Sequence, residues 1–169
     1  MYRKIYIIGA PGSGKSYIAR LLSLSLNVQA HELDHLYWDP KVNRYGIATD
    51  TVTRTKMLNN ILAEPAWIME GIYHDWTTPC FEQAEVIVLL KTNVWRRHWR
   101  LIKRYFQHRR KTYTGKRETF MELLRLLVWN HQYEKNELPQ VLQAMTAFEK
   151  KLRVFESSGA AMTAVIRPL

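Results

Sequence analysis

The chain has 169 residues, 47% of them hydrophobic, and a formal net charge of +10. This length suits one domain with a substantial core, so we expect a single domain over residues 1–169. Its one cysteine, Cys80, excludes an internal disulfide framework and favours a reducing compartment. No stretch is apolar and long enough to span a bilayer, and the N-terminal apolar run is too short for a secretion signal. We therefore expect a cytoplasmic protein with no membrane partner.

The positive charge is concentrated in one segment. Residues 91–117 hold eleven of the 25 Lys and Arg residues and none of the 15 Asp and Glu residues. Such a segment faces a negatively charged partner, such as nucleotide phosphates or nucleic acid, or else only water.

The most informative motif is residues 9–16, Gly-Ala-Pro-Gly-Ser-Gly-Lys-Ser, which matches the phosphate-loop pattern G-x-x-x-x-G-K-S. Backbone N–H groups of such a loop wrap a phosphate chain, and glycine permits positive φ and close approach. Lys15 can reach the β- and γ-phosphates, and the Ser16 hydroxyl can ligate Mg²⁺. The required context is present: a strand-like run over residues 5–8 precedes the loop, and apolar residues at helical spacing follow it. The expected nucleotide-binding residues are Gly9, Ala10, Pro11, Gly12, Ser13, Gly14, Lys15, Ser16 and Tyr17.

Strand-like and helix-like segments alternate along the rest of the chain, which indicates an α/β fold with a parallel sheet and right-handed crossovers. After the first strand, further strands are predicted over residues 28–33, 67–69, 86–90 and 152–155. Helices are predicted after the phosphate loop and over residues 50–62, 94–108, 118–133 and 138–150.

Acidic residues follow two of these strands, where parallel sheets bind their ligands. Asp34 can hold an acceptor hydroxyl, take its proton, or help to ligate Mg²⁺ through water, unless it only caps the next turn. Glu70 fits a water-mediated Mg²⁺ ligand or a group that orients the attacking atom, unless it only faces solvent.

The segment 31–35, His-Glu-Leu-Asp-His, also matches the zinc-protease pattern H-E-x-x-H. That site needs both histidines on one face of a helix and a third ligand. Because the segment follows a strand-like run, we do not expect zinc, and His31 and His35 are more typical of edge or pocket residues.

Arginines dominate the predicted helix over 94–108. Arg97 and Arg104 are seven residues apart and Arg100 and Arg104 are four apart, so each pair shares a helix face. Guanidinium forks suit a phosphoryl group during transfer. We expect Arg100 and Arg104 to serve there, with Arg97, Arg109 and Arg110 as further candidates. The alternative is a solvated basic face.

Two further segments have open alternatives. The basic connection 111–116 could close over a nucleotide as part of a lid over about 105–120, or it is a plain loop. Tyr37, Trp38, Tyr73 and Trp76 follow the second and third strands, and they could line an acceptor pocket or belong to the core.

Four segments together resemble a known group: GAPGSGKS, LDHLYWDP, WIMEGIY, and LIKRYF within the arginine-rich helix. They resemble the adenylate-kinase-like branch of P-loop proteins, and more narrowly the DNA topology modulation protein (FlaR-related) family, from about residue 3 to 158. The resemblance implies a three-layer P-loop kinase fold with strand order 2-3-1-4-5, helices on both faces and a small helical lid.

The same resemblance implies site residues and ligands. ATP and Mg²⁺ are expected to bind through Gly12, Gly14, Lys15 and Ser16, with Arg100 and Arg104 on a lid helix near the phosphates. The loop after the fifth strand, with Ser157, is expected to touch adenine.

The chain departs from its relatives in ways that bear on function. Relatives commonly carry Asp at the position of Glu70, the segment between the second and third strands is short with one clear helix, and the G-x-P-R arginine of nucleoside monophosphate kinases is missing after Gly71. The missing arginine argues against a true adenylate kinase, and the absence of an N-K-x-D element argues against a guanine-specific GTPase. The sequence favours an ATP-dependent, Mg²⁺-dependent phosphotransferase with an unidentified small acceptor. The alternatives are a nucleotide-switched DNA-associated regulator, although no DNA-reading motif occurs, and an ATPase without an acceptor.

Overall fold

A five-stranded parallel sheet forms the centre of the computed structural model, which describes residues 2–39, 47–110 and 119–166. The strands are β1 (Lys4–Gly9), β2 (Ala30–Glu32), β3 (Trp67–Gly71), β4 (Val86–Leu90) and β5 (Leu152–Phe155). The α-helices of the described residues are α1 (Lys15–Leu26), α2 (Asp34–Tyr37), α3 (Thr51–Leu62), α4 (Thr78–Gln83), α5 (Val94–Arg110), α6 (Phe120–Asn136), α7 (Leu138–Ala144) and α8 (Ser158–Ile166). The strand order is β2-β3-β1-β4-β5, which confirms the expected topology.

The central strand β1 separates two core layers. It pairs with β3 on one side and with β4 on the other, and all its residues from Ile5 to Gly9 are buried. Successive side chains of a strand point to opposite faces, so Tyr6 and Ile8 join one apolar cluster and Ile5 and Ile7 join the other. The first cluster is covered by α3, α4 and α7, and the second by α1 and α8. Burial on both faces explains why this strand is an uninterrupted apolar run.

Several predicted boundaries are wrong. The second strand covers only Ala30–Glu32, and the predicted helix 138–150 ends at Ala144 and is followed by a 3₁₀ segment, Thr146–Lys151. Phe148 has non-helical φ and ψ there, and its ring packs against Phe81 of the core, so tertiary packing overrides helical spacing.

Three helices were not predicted. Helices α2 and α4 have only four and six residues, and α8 is apolar or small almost throughout, so none of them produces a clear amphipathic pattern. No helix within the described ranges is both long and apolar enough to cross a membrane.

Candidate active site

The phosphate loop, residues 9–16, joins β1 to α1 at the carboxyl edge of the sheet. Gly12 and Gly14 have φ angles of 77° and 102°, a region that residues with a Cβ rarely adopt. A Cβ on Gly12 would also lie 2.7 Å from the carbonyl oxygen of Arg97. Glycine at position 12 therefore permits both the loop conformation and its direct packing on the backbone of α5.

Side chains from outside the loop hold its carbonyl groups. Arg100 Nη1 donates hydrogen bonds to the carbonyls of Gly12 and Ser13, at 3.0 and 2.8 Å. The buried Thr92 hydroxyl donates a third bond of 3.1 Å to the Ser13 carbonyl. The carbonyl and the following N–H point in opposite directions across a trans peptide, so the N–H of Gly14 is turned away from Arg100. These contacts leave that N–H available for an anion.

Lys15 is largely buried, and its Nζ donates a 3.2 Å hydrogen bond to the Ala10 carbonyl. Burial lowers the pKa of Lys15, and the nearby carboxylates of Glu70 and Asp34 oppose that shift. The ammonium group is thus held beneath the loop close to two acidic groups.

Glu70 lies in β3 beside the phosphate loop. The Ser16 hydroxyl donates a 2.5 Å hydrogen bond to Glu70 Oε1. Burial raises the pKa of Glu70, while Lys15 and the hydrogen bond from Ser16 act in the opposite direction. A hydroxyl and a carboxylate oxygen side by side are ligands that Mg²⁺ accepts. The residues present therefore fit a magnesium ion.

Asp34 begins helix α2 rather than ending the second strand. The Tyr73 hydroxyl donates a 2.8 Å hydrogen bond to Asp34 Oδ1, so the carboxylate binds a side chain that follows β3. The N-cap of α2 is Leu33, with no side-chain capping bond, which makes the turn-capping alternative for Asp34 wrong.

The four predicted aromatic residues do cluster. The Tyr37 ring lies 4.7 Å from Tyr73, 4.8 Å from Trp38 and 6.4 Å from Trp76. The guanidinium of Arg54 stacks over Tyr37 and Trp76. The cluster is therefore a packed wall that presents Trp38 and Tyr73 to the cavity described below.

Three of the candidate arginines of α5 lie in two different environments. Arg100 and Arg104 line the cavity, whereas Arg97 is buried between α5 and α6, where it bonds to the Asn130 carbonyl and to Glu134. Seven residues rise about 10 Å along a helix, so Arg97 and Arg104 share a face but lie beside different partners.

Part of the predicted lid is outside the described residues. The side chains of Arg109 and Arg110 and the segment 111–118 belong to that part. The last turns of α5 and the start of α6 border it.

The two histidines of the H-E-x-x-H pattern do not lie on one helix. His31 lies in β2 with its Nε2 3.4 Å from Glu64, and His35 lies in α2. Among the described residues, no group of three or more His, Cys, Asp or Glu side chains is placed to hold a metal ion.

The loop after β5 approaches the phosphate loop from the other side. Ser157 Oγ accepts a 3.3 Å hydrogen bond from the N–H of Ala160 in the first turn of α8. A Cβ on Gly14 would lie 3.4 Å from Ser158 Oγ, so the start of α8 adjoins the loop. An adenine contact of Ser157 stays a prediction.

Sequence reasoning missed two residues that contact the loop, Thr92 and Asn130. Thr92 follows β4 and could have been found by examining every strand end. Asn130 Nδ2 donates a 3.0 Å hydrogen bond to the Pro11 carbonyl from within α6. The sequence does offer a sign of this role, since Asn130 is a polar residue on the side of α6 that carries Leu123 and Tyr133. A buried amide needs a hydrogen-bond partner.

These groups surround one cavity of about 820 Å³. The phosphate loop with Lys15 and Ser16 forms one wall, and Asp34, Glu70 and Tyr73 form the next. Arg100 and Arg104 of α5 and Trp129 of α6 line the remaining sides. The phosphate loop, the Ser16–Glu70 pair and the Asp34 carboxylate thus face a common space.

The architecture matches solved structures of small-molecule kinases. The fold is that of P-loop kinases. The chain is similar to a shikimate kinase from Acinetobacter baumannii in complex with shikimate, with a TM-score of 0.59, 18% identity, and coverage of 97% of this chain and 90% of that chain.

Two other solved structures share the fold. A shikimate kinase from Bacteroides thetaiotaomicron has a TM-score of 0.54 and 15% identity over 94% of this chain and 88% of its own. A gluconokinase from Sinorhizobium meliloti 1021 has a TM-score of 0.53 and 13% identity over 95% and 87%. No family model matches the chain, and no curated protein matches its sequence.

Proposed function

We propose that this protein transfers the γ-phosphoryl group of ATP to a hydroxyl group of a small acceptor. One observation carries the proposal: the phosphate loop, the Ser16–Glu70 pair and the Asp34 carboxylate line the same cavity. A second carboxylate beside the loop is placed to accept the proton of an attacking hydroxyl group. The kinase fold of the solved neighbours supports the same reaction class.

Mg²⁺ would be held by the Ser16 hydroxyl and, directly or through water, by Glu70, whose Oε1 is next to that hydroxyl. When bound, the ion neutralises charge on the phosphate oxygens. Glu70 is favoured over Asp34 for this role because Asp34 is bonded to Tyr73 instead.

The remaining roles belong to side chains and backbone N–H groups of the protein. Lys15 and the loop N–H groups bind the phosphate chain, while Arg100 and Arg104 face charge that develops during transfer. The acceptor oxygen attacks the γ-phosphorus as the bond to the bridging β–γ oxygen breaks, and ADP leaves. Asp34 orients the acceptor hydroxyl and takes its proton.

The acceptor wall combines the Trp38, Tyr73 and Trp129 rings with the carboxylate of Asp34. This chemistry suits a small hydroxylated molecule that lays one face on an aromatic ring. Shikimate and gluconate are the first acceptors to try, because the solved neighbours include shikimate kinases and a gluconokinase.

The test is a transfer assay on the full chain with ATP and Mg²⁺ and a panel of hydroxylated acids, sugars and nucleosides. We expect acceptor-dependent ADP formation, and at least a roughly hundredfold lower kcat/KM for Lys15→Ala. Lys56→Ala, on the exposed face of α3, is the matched control and should keep full activity. ADP formation that no acceptor increases would favour the ATPase alternative, and equal turnover in Lys15→Ala would refute the mechanism.

A nucleotide-switched DNA-associated regulator, as the resemblance to the DNA topology modulation family implies, is the second candidate. It is supported by the outer face of α5, where Trp95 and Trp99 are exposed beside Arg96 and Lys103. Phosphate contacts make affinity fall steeply with salt. Titration of duplex DNA at low and physiological ionic strength tests it, and no binding at low salt would eliminate it.

A further inference from the structure

Asn130 is a buried polar residue of α6, on the side of the helix that carries the buried Leu123 and Tyr133. Burying an amide costs free energy unless it is hydrogen-bonded. Its Nδ2 donates to the carbonyl of Pro11, 119 positions earlier in the chain. This bond links α6 directly to the phosphate loop.

Arg97 makes the second link between the same elements. Its Nη2 donates a 3.1 Å bond to the Asn130 carbonyl, its Nη1 lies 3.3 Å from Glu134 Oε1, and its guanidinium stacks over Tyr133 at 5.6 Å. The carbonyl of Arg97 packs against Gly12 of the loop. One residue of α5 therefore contacts α6 with its side chain and the phosphate loop with its backbone.

We propose that Asn130 is a positioning residue for the phosphate loop, and that Asn130 and Arg97 make nucleotide affinity depend on how α6 packs against α5. The inference rests on the proposed function, because it requires the loop to bind nucleotide. Holding the Pro11 carbonyl fixes the loop before the ligand arrives, which lowers the ordering cost of binding.

The same link couples the two sides of the cavity. Trp129, the neighbour of Asn130 in α6, lines the cavity. An acceptor that shifts α6 therefore also shifts the support of the loop. Coupling of this kind is reciprocal, so nucleotide and acceptor each change the affinity of the other.

The experiment compares Asn130→Leu with Gln132→Leu, an exposed position two residues later on α6. Titration calorimetry on the full chain measures the Kd of a non-hydrolysable ATP analogue with Mg²⁺. We expect the Kd of Asn130→Leu to rise about three- to tenfold, and that of Gln132→Leu to stay unchanged. A purely structural role lowers the unfolding midpoint but leaves the Kd of the folded chain unchanged, and that result would overturn the proposal.

If Asn130→Leu does not fold, an NMR measurement on the wild-type chain tests the positioning role instead. The side-chain amide protons of Asn130 should shift in the NMR spectrum on addition of the same analogue, whereas those of Gln132 should not. An unmoved Asn130 signal on a nucleotide-bound chain would refute the positioning role alone. Failure of the wild-type chain to bind the analogue would instead refute the proposed function, and the inference with it.

Discussion

The hydroxyl of Tyr73 donates a 2.8 Å hydrogen bond to the carboxylate of Asp34, which connects the end of β3 to the start of α2. Tyr73 is itself held from two sides. Its carbonyl accepts bonds from the hydroxyls of Tyr6 and Thr77, and its ring stacks on Tyr37. Asp34 is therefore oriented by a side chain that has little freedom to move.

Replacement of Tyr73 by Phe should lower kcat about tenfold and leave the Kd of ATP nearly unchanged. The ring stack survives, but Asp34 loses the donor that orients it, and a misplaced base slows transfer without affecting the phosphate loop. Steady-state kinetics and nucleotide titration measure the two quantities. Tyr37→Phe, which alters the hydroxyl of the stacked neighbour, is the control. Equal kcat in wild type and Tyr73→Phe would remove Asp34 from the mechanism or make its orientation unimportant.

Replacement of Arg100 by Ala should weaken ATP binding roughly ten- to hundredfold. Arg100 supplies charge-assisted hydrogen bonds to two loop carbonyls and also lines the cavity, so its loss disturbs the loop and removes a cation. Arg96→Ala removes the same charge from an exposed position on the same helix. Titration calorimetry at constant ionic strength compares them. Similar Kd values for the two variants would mean that only the net charge of α5 matters.

The Glu70→Gln variant should be more stable than wild type near neutral pH in the absence of ligands, and less active with them. Burial raises the pKa of Glu70 above its ordinary value of 4.5, so the folded chain binds this proton more tightly than the unfolded chain. Ionisation of Glu70 therefore takes no stability from the wild-type chain below the pKa of the unfolded state. The loss of stability grows as the pH rises and is complete above the pKa of the folded state.

Urea unfolding between about pH 3.5 and about pH 8 measures this difference. The stability gain of Glu70→Gln should be near zero at the acid end and should grow as the pH rises. Glu82→Gln, exposed on α4, is the control for loss of a carboxylate from the surface. A variant that is less stable than wild type near neutral pH would show that attraction to Lys15 outweighs the desolvation of Glu70.

Two glycine substitutions should change stability in opposite directions. Gly12→Ala places a Cβ at positive φ and 2.7 Å from the Arg97 carbonyl, so we expect a loss of about 1–3 kcal/mol. Gly159 lies in α8 with no atom within 4 Å of an added Cβ, so Gly159→Ala should stabilise by up to about 1 kcal/mol. Chemical denaturation measures both. A neutral Gly12→Ala would mean that the loop moves away from α5 at little cost.

The sequence by itself determined the phosphate loop, the α/β class and the central strands. Residues 9–16 are specific because loop geometry and phosphate chemistry both act on neighbouring residues, and the buried strands β1 and β4 are apolar on both faces. The strand-end rule also identified Asp34 and Glu70, since the carboxyl ends of parallel strands share one edge. The strand order followed from the resemblance.

Only the tertiary structure decided what these groups contact. Arg97 and Arg104 have equivalent helical spacing, yet one is buried against α6 and the other lines the cavity, because their partners come from different parts of the fold. Likewise Glu70 rather than Asp34 meets Ser16, and Asn130 reaches Pro11. Periodicity describes the side of an element on which a residue lies, whereas hydrogen-bond partners distant in the chain depend on how the elements pack.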